Sequence, residues 1–189
     1  VIGRSGSGKT YSLKNFRPGE VGIISVEKGR LPFKSELKPV RVPNYADNPD
    51  IRDAGQANAA KYAWITNAIR QAKAPSIVID DSQYLLVNEL FDRTYEKGYD
   101  KFTSIAAKFR DLIHYVNELN QDDKIVYFLH HSEADSDGRE KAKTIGKMID
   151  QYVTLEGLFT IVLKTHVKDG KYTFITHNSG FDTVKTPLG

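Results

Sequence analysis

The chain has 189 residues, 40% of them hydrophobic and 27% charged, which is typical of one globular domain with a sizeable core. It contains no cysteine and no apolar run long enough to span a membrane, which excludes disulfides, cysteine-based zinc sites and transmembrane helices. The net charge of +3 comes from well-mixed acidic and basic residues, which permits nucleic-acid binding without requiring it. We expect a single domain in a reducing cytoplasm, away from any membrane.

A phosphate-binding motif opens the chain. Residues 3–10 read Gly-Arg-Ser-Gly-Ser-Gly-Lys-Thr and fit the pattern G-x-x-x-x-G-K-[ST]. Glycines let successive backbone N–H groups turn inward around an anion, Lys9 can reach the β- and γ-phosphates of a nucleotide, and the Thr10 hydroxyl can bind Mg²⁺. The residues expected to contact a nucleoside triphosphate are Gly3, Ser5, Gly6, Ser7, Gly8, Lys9, Thr10 and Tyr11.

The residues on either side of the motif predict a strand before it and a helix after it. Val1 and Ile2 read as the end of a strand, and residues 11–16 read as a helix that is closed by residues 17–19. The positive end of that helix would face the phosphates. A core strand usually has about five residues, so we expect a single phosphate-loop domain over residues 1–189 that is trimmed at both ends.

Strand and helix signals alternate along the rest of the chain, which predicts an α/β fold with a mainly parallel sheet flanked by helices. Apolar, β-branched runs predict strands at residues 21–26, 40–42, 76–80, 124–129, 157–166 and 171–177. Helical spacing of apolar residues predicts helices from 48–50 to about 72, at 83–92, at 102–119 and near 144–151. Residues 93–99 and the polar stretch 132–143 read as loops, and residues 168–171 as a hairpin turn.

Acidic residues follow two of the predicted strands. Asp80 and Asp81 end the apolar run 77–79, where Asp80 would hold Mg²⁺ through a water and Asp81 would position water or substrate. The alternative is that this pair caps the next helix. Glu27 follows the strand 21–26 and is the candidate for polarising an attacking water. Its alternative is a solvated glutamate paired with Lys28.

A pair of histidines, His130 and His131, ends the strand 124–129 at the same edge of the sheet. A polar side chain at this edge can sense the γ-phosphate, and His130 is the candidate. No further ligand stands at metal-binding spacing from the pair, which argues against zinc. The alternative for His130 is a histidine that only hydrogen-bonds the backbone.

The order of these four pieces resembles the RecA-like ATPase core. More narrowly, it is similar to the phage-encoded AAA-type ATPases grouped with the Sak single-strand-annealing and recombination proteins. The segments that carry the narrower resemblance are 79–84, 144–148 with 155–159, and 178–181 with 185–187. The resemblance implies a RecA-like core that uses ATP and Mg²⁺, with a strand inserted between the phosphate-loop strand and the Asp80 strand. It also implies a C-terminal β-hairpin at the sheet edge and His130 opposite the γ-phosphate.

The resemblance further implies partners. RecA-like proteins assemble into homo-oligomeric rings or filaments, and a basic residue of a neighbour then reaches the nucleotide; the candidates are Lys147 and Lys185, with Lys143 behind them. Their alternative is solvated surface charge. Single-stranded DNA would meet residues 93–102 and 132–143, and the proposed contacts are Arg93, Tyr95, Lys97, Tyr99 and Lys101. The alternative for that loop is a solvated segment without DNA contact.

These expectations combine into one leading hypothesis. It is a Mg²⁺-dependent ATPase that handles single-stranded DNA in phage recombination or replication, in the host cell cytoplasm. The first alternative is a small-molecule phosphotransferase, such as a nucleoside or nucleotide kinase, which shares the phosphate loop but needs an acceptor site and an arginine-rich lid. The second is a nucleotide-switched assembly module with little turnover.

Overall fold

The structure is a computed structural model that describes residues 1–27, 29–44, 51, 53–119, 123–146 and 154–187. The strands are β1 (Ile2–Gly3), β2 (Val21–Ser25), β3 (Val40–Arg41), β4 (Ser76–Asp80), β5 (Ile125–Phe128), β6 (His130–Ala134), β7 (Glu140–Ala142), β8 (Lys164–Lys168) and β9 (Lys171–Ile175). The helices are α1 (Ala54–Gln71), α2 (Gln83–Asp92), α3 (Asp100–Asn117) and the 3₁₀ helices Thr10–Asn15 and Leu155–Leu158. Strands and helices together give the predicted α/β class.

One half of the structure is an all-parallel sheet in the order β3-β2-β4-β5. Val21 pairs with Ser76 and Ser76 pairs with Ile125, so the three longer strands start in register. Residues 77–79 of β4 are at most 1% exposed. A parallel strand covered on both faces has this continuous apolar sequence, because both sets of alternating side chains are buried.

The other half is a mixed sheet in the order β7-β6-β1-β8-β9. The phosphate-loop strand β1 lies in its centre, parallel to both β6 and β8. The edge strands β7 and β9 are antiparallel to their neighbours. The C-terminal β-hairpin, β8 and β9, is therefore at the edge of the sheet, as predicted.

A single residue, Leu129, joins the two halves. It separates β5 from β6, and its N–H donates to the carbonyl of Ile79 at 3.0 Å. The chain segment β5–β6 thus pairs with β4 at one end and with β1 at the other. This agrees with the expected placement of a strand between the phosphate-loop strand and the Asp80 strand, and it brings the carboxyl ends of β1 and β4 beside residues 129–131.

Apolar side chains pack on both faces of β4. Ile77 and Ile79 belong to the larger cluster, which includes the buried faces of α1, α2 and α3. Val78 points the other way and packs with Leu13 and Leu37 in the smaller cluster. This alternation is the period of a strand, and it leaves the strand ends free to carry polar residues.

The predicted helices α2 and α3 are confirmed, and α1 is confirmed over most of its length. Helix α1 begins at Ala54, because the Asp53 side chain accepts a hydrogen bond from the backbone N–H of Gln56 at 2.7 Å. The predicted start at residues 48–50 lies outside the described residues. Among the helices of the described ranges, none is long and apolar enough to cross a membrane.

Two segments near the site differ from the sequence prediction. The helix after the motif is a 3₁₀ helix of six residues, so its dipole contributes less at the loop than a longer α-helix would. Residues 132–143, predicted as a polar loop, instead contain the end of β6 and all of β7, with Ser132 paired to Ala142. The segment was predicted as a loop because it is polar, and it is polar because the side chains of this edge hairpin are partly exposed to solvent.

Two C-terminal predictions also need correction. The strand predicted at 157–166 begins only at Lys164, because residues Leu155–Leu158 form a 3₁₀ helix. Residues 144–146 are not helical, and the rest of the helix predicted near 144–151 lies outside the described residues. The hairpin turn at 168–171 is confirmed, with Asp169 and Gly170 both at positive φ, 52° and 73°.

Candidate functional site

The segment 3–10 forms a tight loop directly after β1. Gly6 and Gly8 have φ values of 75° and 89°, in the left-handed region that glycine enters without a steric penalty. The Ser7 hydroxyl donates to the carbonyl of Arg4 at 2.7 Å, and the Thr165 hydroxyl of β8 donates to Ser7 Oγ at 2.6 Å. Gly6 and Gly8 of the motif therefore occupy the positions at which the loop backbone has positive φ.

The Lys9 side chain lies inside this loop and is only 5% exposed. Its Nζ donates to the carbonyls of Gly3 at 2.7 Å and Arg4 at 3.0 Å. Burial lowers the pKa of Lys9, and the nearby carboxylates of Asp81 and Asp80 partly offset this effect. The ammonium group thus has two carbonyl partners that a phosphate oxygen can replace.

The two predicted metal ligands contact each other. The Thr10 hydroxyl donates to Asp80 Oδ1 at 2.9 Å, and Asp80 ends β4. Burial raises the pKa of Asp80 to about 6, against the effect of the Thr10 hydrogen bond, which lowers it. One hydroxyl and one carboxylate suit Mg²⁺, which keeps several waters and takes its other ligands from substrate phosphates.

Helix α2 starts next to these acids without using them as caps. It begins at Gln83 after Ser82, which makes no side-chain capping bond. Asp80 accepts from Thr10 instead, as described above, and Asp81 has a φ of 58°, which is uncommon for a residue with a side chain. The Asp81 carboxylate lies 3.3 Å from Nε2 of His131. The capping alternative is therefore not the arrangement seen.

We expect Asp80→Asn to stabilise the ligand-free protein at neutral pH. The pKa of Asp80 is about 6 in the folded chain and 3.8 in the unfolded chain. The ionised carboxylate therefore destabilises the folded state, fully above about pH 6, and this destabilisation disappears as the pH falls toward 3.8. The variant should unfold with a free energy on the order of 1–3 kcal/mol higher at pH 7, and with no difference near pH 3.5. Urea unfolding in EDTA at both pH values measures this; an equal difference at both would contradict the assignment.

His130 is buried and does not line the cavity, which corrects its predicted position opposite the γ-phosphate. Its Nδ1 lies 2.9 Å from Ser82 Oγ, and its Nε2 lies 2.8 Å from the carbonyl of Lys143. Burial lowers the pKa of His130 to about 3, so the ring is neutral and Nε2 donates to that carbonyl. The alternative for His130, a histidine that hydrogen-bonds the backbone, agrees with its contact to the carbonyl of Lys143.

His131, the neighbour of His130, lines the cavity. Successive side chains of a strand point to opposite faces, so His130 packs near Phe109 of α3 while His131 faces the cavity. Burial lowers the pKa of His131, and the ammonium of Lys9 adds to this effect, whereas Asp81 opposes it. The strand alternation was the signal in the sequence that distinguishes the two histidines.

Glu27 stands two residues after the end of β2 and lines the same cavity. Its Oε1 accepts a hydrogen bond from the side-chain amide of Asn88 at 2.6 Å. Asn88 is on α2, 61 residues further along the chain, so no local pattern indicated the pair. The alternative pairing of Glu27 with Lys28 lies outside the described residues.

The predicted role of Glu27 in polarising an attacking water gives Asn88 a positioning role, because its amide fixes the orientation of Glu27. On that prediction, Asn88→Ala should lower nucleotide hydrolysis about tenfold and leave nucleotide affinity unchanged. Steady-state rates would show the change in kcat, and a binding titration would show the unchanged Kd. In a Glu27→Gln background the same substitution should add little, since the two side chains act as one unit. Additive losses in the double variant would contradict this positioning role.

The site residues converge on one cavity of about 830 Å³, a size typical of ligand sites. Its lining contains the predicted residues Ser5, Gly6, Ser7, Gly8, Lys9, Thr10, Tyr11, Glu27 and Asp80. Gly3 lies just behind it, where its carbonyl accepts from Lys9. Asp81, predicted to position water or substrate, also lines the cavity. The lining residues without a predicted role are Arg30, Pro32, Tyr84, His131 and Tyr172. Arg30 gives the cavity a second basic side chain from the same chain.

The residues proposed to contact DNA divide into two groups. Arg93 is mostly buried and pairs with Glu89 at 2.9 Å and Glu96 at 2.7 Å, and Lys101 donates to the carbonyl of Glu96 at 2.8 Å. These two cations hold the α2–α3 loop together. In contrast Tyr95 is 97% exposed, and Lys97 and Tyr99 are exposed as well. The loop therefore presents aromatic rings with less free positive charge than predicted.

The lysines predicted to act on a neighbouring nucleotide lie away from the described cavity or outside the described residues. Lys185 is in the C-terminal segment, where its backbone pairs with Val162 and its Nζ lies 3.4 Å from the carbonyl of Gly157. Lys143 is at the end of the β6–β7 hairpin, with its carbonyl on His130. Lys147 lies outside the described residues.

Fold and site together define an α/β protein with a phosphate-loop-like cavity at the carboxyl ends of its parallel strands. Comparison of the chain with models of known protein families and with curated protein sequences gives no match.

Proposed function

We propose that this protein is a Mg²⁺-dependent ATPase with a RecA-like core. The observation that carries the proposal is the convergence of Lys9, the Thr10–Asp80 pair and Glu27 on one cavity. The position of β5–β6 between β1 and β4 supports the RecA-like assignment. The resemblance to phage recombination ATPases supplies the proposed biological setting.

Binding would begin with the triphosphate in the loop. The N–H groups around Gly6 and Gly8 face the anion, and Lys9 exchanges its two carbonyl partners for β- and γ-phosphate oxygens. This exchange leaves the lysine buried but restores an anionic partner, which raises its pKa again. Thr10 and Asp80 would hold Mg²⁺, which neutralises charge on the phosphates when bound.

Hydrolysis would then depend on Glu27. Its carboxylate lines the same cavity as the loop, where it orients a water molecule and accepts a proton from that water. Asp81 and His131, 3.3 Å apart, add a second polar pair beside the reacting phosphate. Arg30 offsets the charge that develops on the γ-phosphate, the role that the sequence predicted for a lysine of a neighbouring chain. Homo-oligomerisation stays a prediction, and sedimentation with and without ATP tests it.

The distribution of products tests the proposed reaction against phosphotransfer. With ATP and Mg²⁺ we expect ADP and inorganic phosphate in equal amounts, even when nucleosides or nucleoside monophosphates are added. Phosphorylated acceptors, separated by ion-exchange chromatography, would identify a kinase instead. Stoichiometric ATP binding with no product of either kind would identify the switch module.

The proposed DNA contact uses the exposed rings of the α2–α3 loop. We expect the double change Tyr95→Ala and Tyr99→Ala to weaken binding of single-stranded DNA at least tenfold, because each ring loses a stacked base. ATP affinity should be unchanged. Because Arg93 and Lys101 are engaged within the loop, the affinity should also fall only shallowly with added salt. Fluorescence anisotropy with labelled oligonucleotides measures both; unchanged affinity would remove this loop from the DNA site.

A further inference from the structure

A second cavity, of about 240 Å³, adjoins the phosphate loop on its hairpin side. It lies between the 3₁₀ helix Thr10–Asn15 and the strands β8 and β9. The residues that line both this cavity and the larger one are Ser7, Gly8, Tyr11 and Tyr172. The two cavities therefore adjoin each other at the loop.

The walls of the second cavity are aromatic with a polar edge. Tyr11, Tyr172 and Phe174 are each 42–58% exposed, which leaves ring surface open on this side of the loop. The ring of Tyr11 is fixed by an edge-on contact with Phe33, at 5.8 Å between centroids. Asn15 lines the same cavity and offers an amide donor and acceptor. Planar rings beside hydrogen-bonding groups match a flat heterocycle with polar edge atoms.

Contacts with the phosphate loop fix the position of the hairpin wall. A Cβ atom at Gly8 would lie 2.7 Å from Cδ1 of Tyr172, so the missing side chain makes room for this ring. The hydrogen bond between Thr165 and Ser7 ties β8 to the loop at 2.6 Å. The Tyr172 ring is thereby held at a set distance from the groups that would bind phosphate.

We propose that this second cavity is the nucleobase subsite of the nucleoside triphosphate. The inference rests on the proposed function, because the phosphates must lie in the loop for the base to reach the hairpin. Tyr172 and Phe174 supply the stacking surface, and Asn15 meets the edge of the base. Neither the motif nor the local sequence of the hairpin indicates this role, since Tyr172 is more than 160 residues from the loop.

The test compares a ligand that has a base with one that lacks it. Dissociation constants for ATP and for inorganic tripolyphosphate, both with Mg²⁺, are measured by calorimetry or displacement. We expect Tyr172→Ala and Phe174→Ala each to weaken ATP about tenfold and to leave tripolyphosphate unchanged, while Tyr172→Phe keeps the ATP affinity. Phe181→Ala is the matched control, because this phenylalanine is 71% exposed and lines neither cavity.

Each other outcome overturns the subsite. Unchanged ATP affinity in both alanine variants would show that the base does not bind in this cavity, and it would not affect the proposed phosphate site. An equal loss for both ligands would mean that the hairpin only supports the loop. If the unaltered protein binds neither ATP nor tripolyphosphate, the proposed function fails, and the subsite fails with it.

Discussion

Replacing Lys9 with alanine is expected to abolish ATP hydrolysis, with a fall in kcat of at least 100-fold. Lys9 is the cation inside the loop, and its charge would offset the developing charge on the transferred phosphate. ATP affinity should fall as well, because the phosphates lose their closest ammonium group. Release of inorganic phosphate from ATP measures the rate.

The control for this variant is Lys34→Ala, an exposed lysine outside the cavity. Removing Lys9 also leaves the carbonyls of Gly3 and Arg4 without its two hydrogen bonds, so circular dichroism and thermal unfolding must show that the variant is folded. A folded Lys9→Ala protein with full turnover would contradict the proposed role of the loop.

The second large effect is expected from Glu27→Gln, which should lower kcat by about 10²–10⁴-fold and preserve ATP binding. Glutamine has nearly the same shape, and its side-chain carbonyl can still accept from Asn88. Only the ability to take a proton from water is lost. Single-turnover hydrolysis and a binding titration separate the two effects, and Glu36→Gln, at an exposed site, is the control. Unchanged turnover in the Glu27→Gln variant would show that another group activates the attacking water.

Sequence pattern predicted the elements that local chemistry determines. The strands β2 and β4 and the helices α2 and α3 follow from apolar periodicity. The turn of the C-terminal hairpin follows from Asp169 and Gly170, which tolerate positive φ. The β6–β7 hairpin was not predicted because its strands are short and carry partly exposed charged side chains, as edge strands commonly do.

The site residues that belong to a sequence motif were predicted, and those that only the folded chain brings to the site were not. The loop residues and Asp80 converge because the motif and the end of an apolar strand each have a fixed place in such a sheet. Asn88 and Tyr172 lie far along the chain from the residues they contact, Glu27 and Gly8, so a single chain gives no local signal for them. Arg30 lines the cavity from the segment after β2, where no motif marks it. His130 and His131 lie on opposite faces at the start of β6, and the alternation that places Phe128 and His130 on the helix-covered face indicates that His131 faces the cavity.

The central claim is that this cavity hydrolyses ATP with Mg²⁺. The most direct test is the rate of phosphate release by the unaltered protein, with Mg²⁺ or with EDTA, and with or without single-stranded DNA. The account predicts turnover that requires Mg²⁺ and increases with DNA. Absence of phosphate release in the presence of ATP, Mg²⁺ and DNA together, from a folded protein, would contradict it.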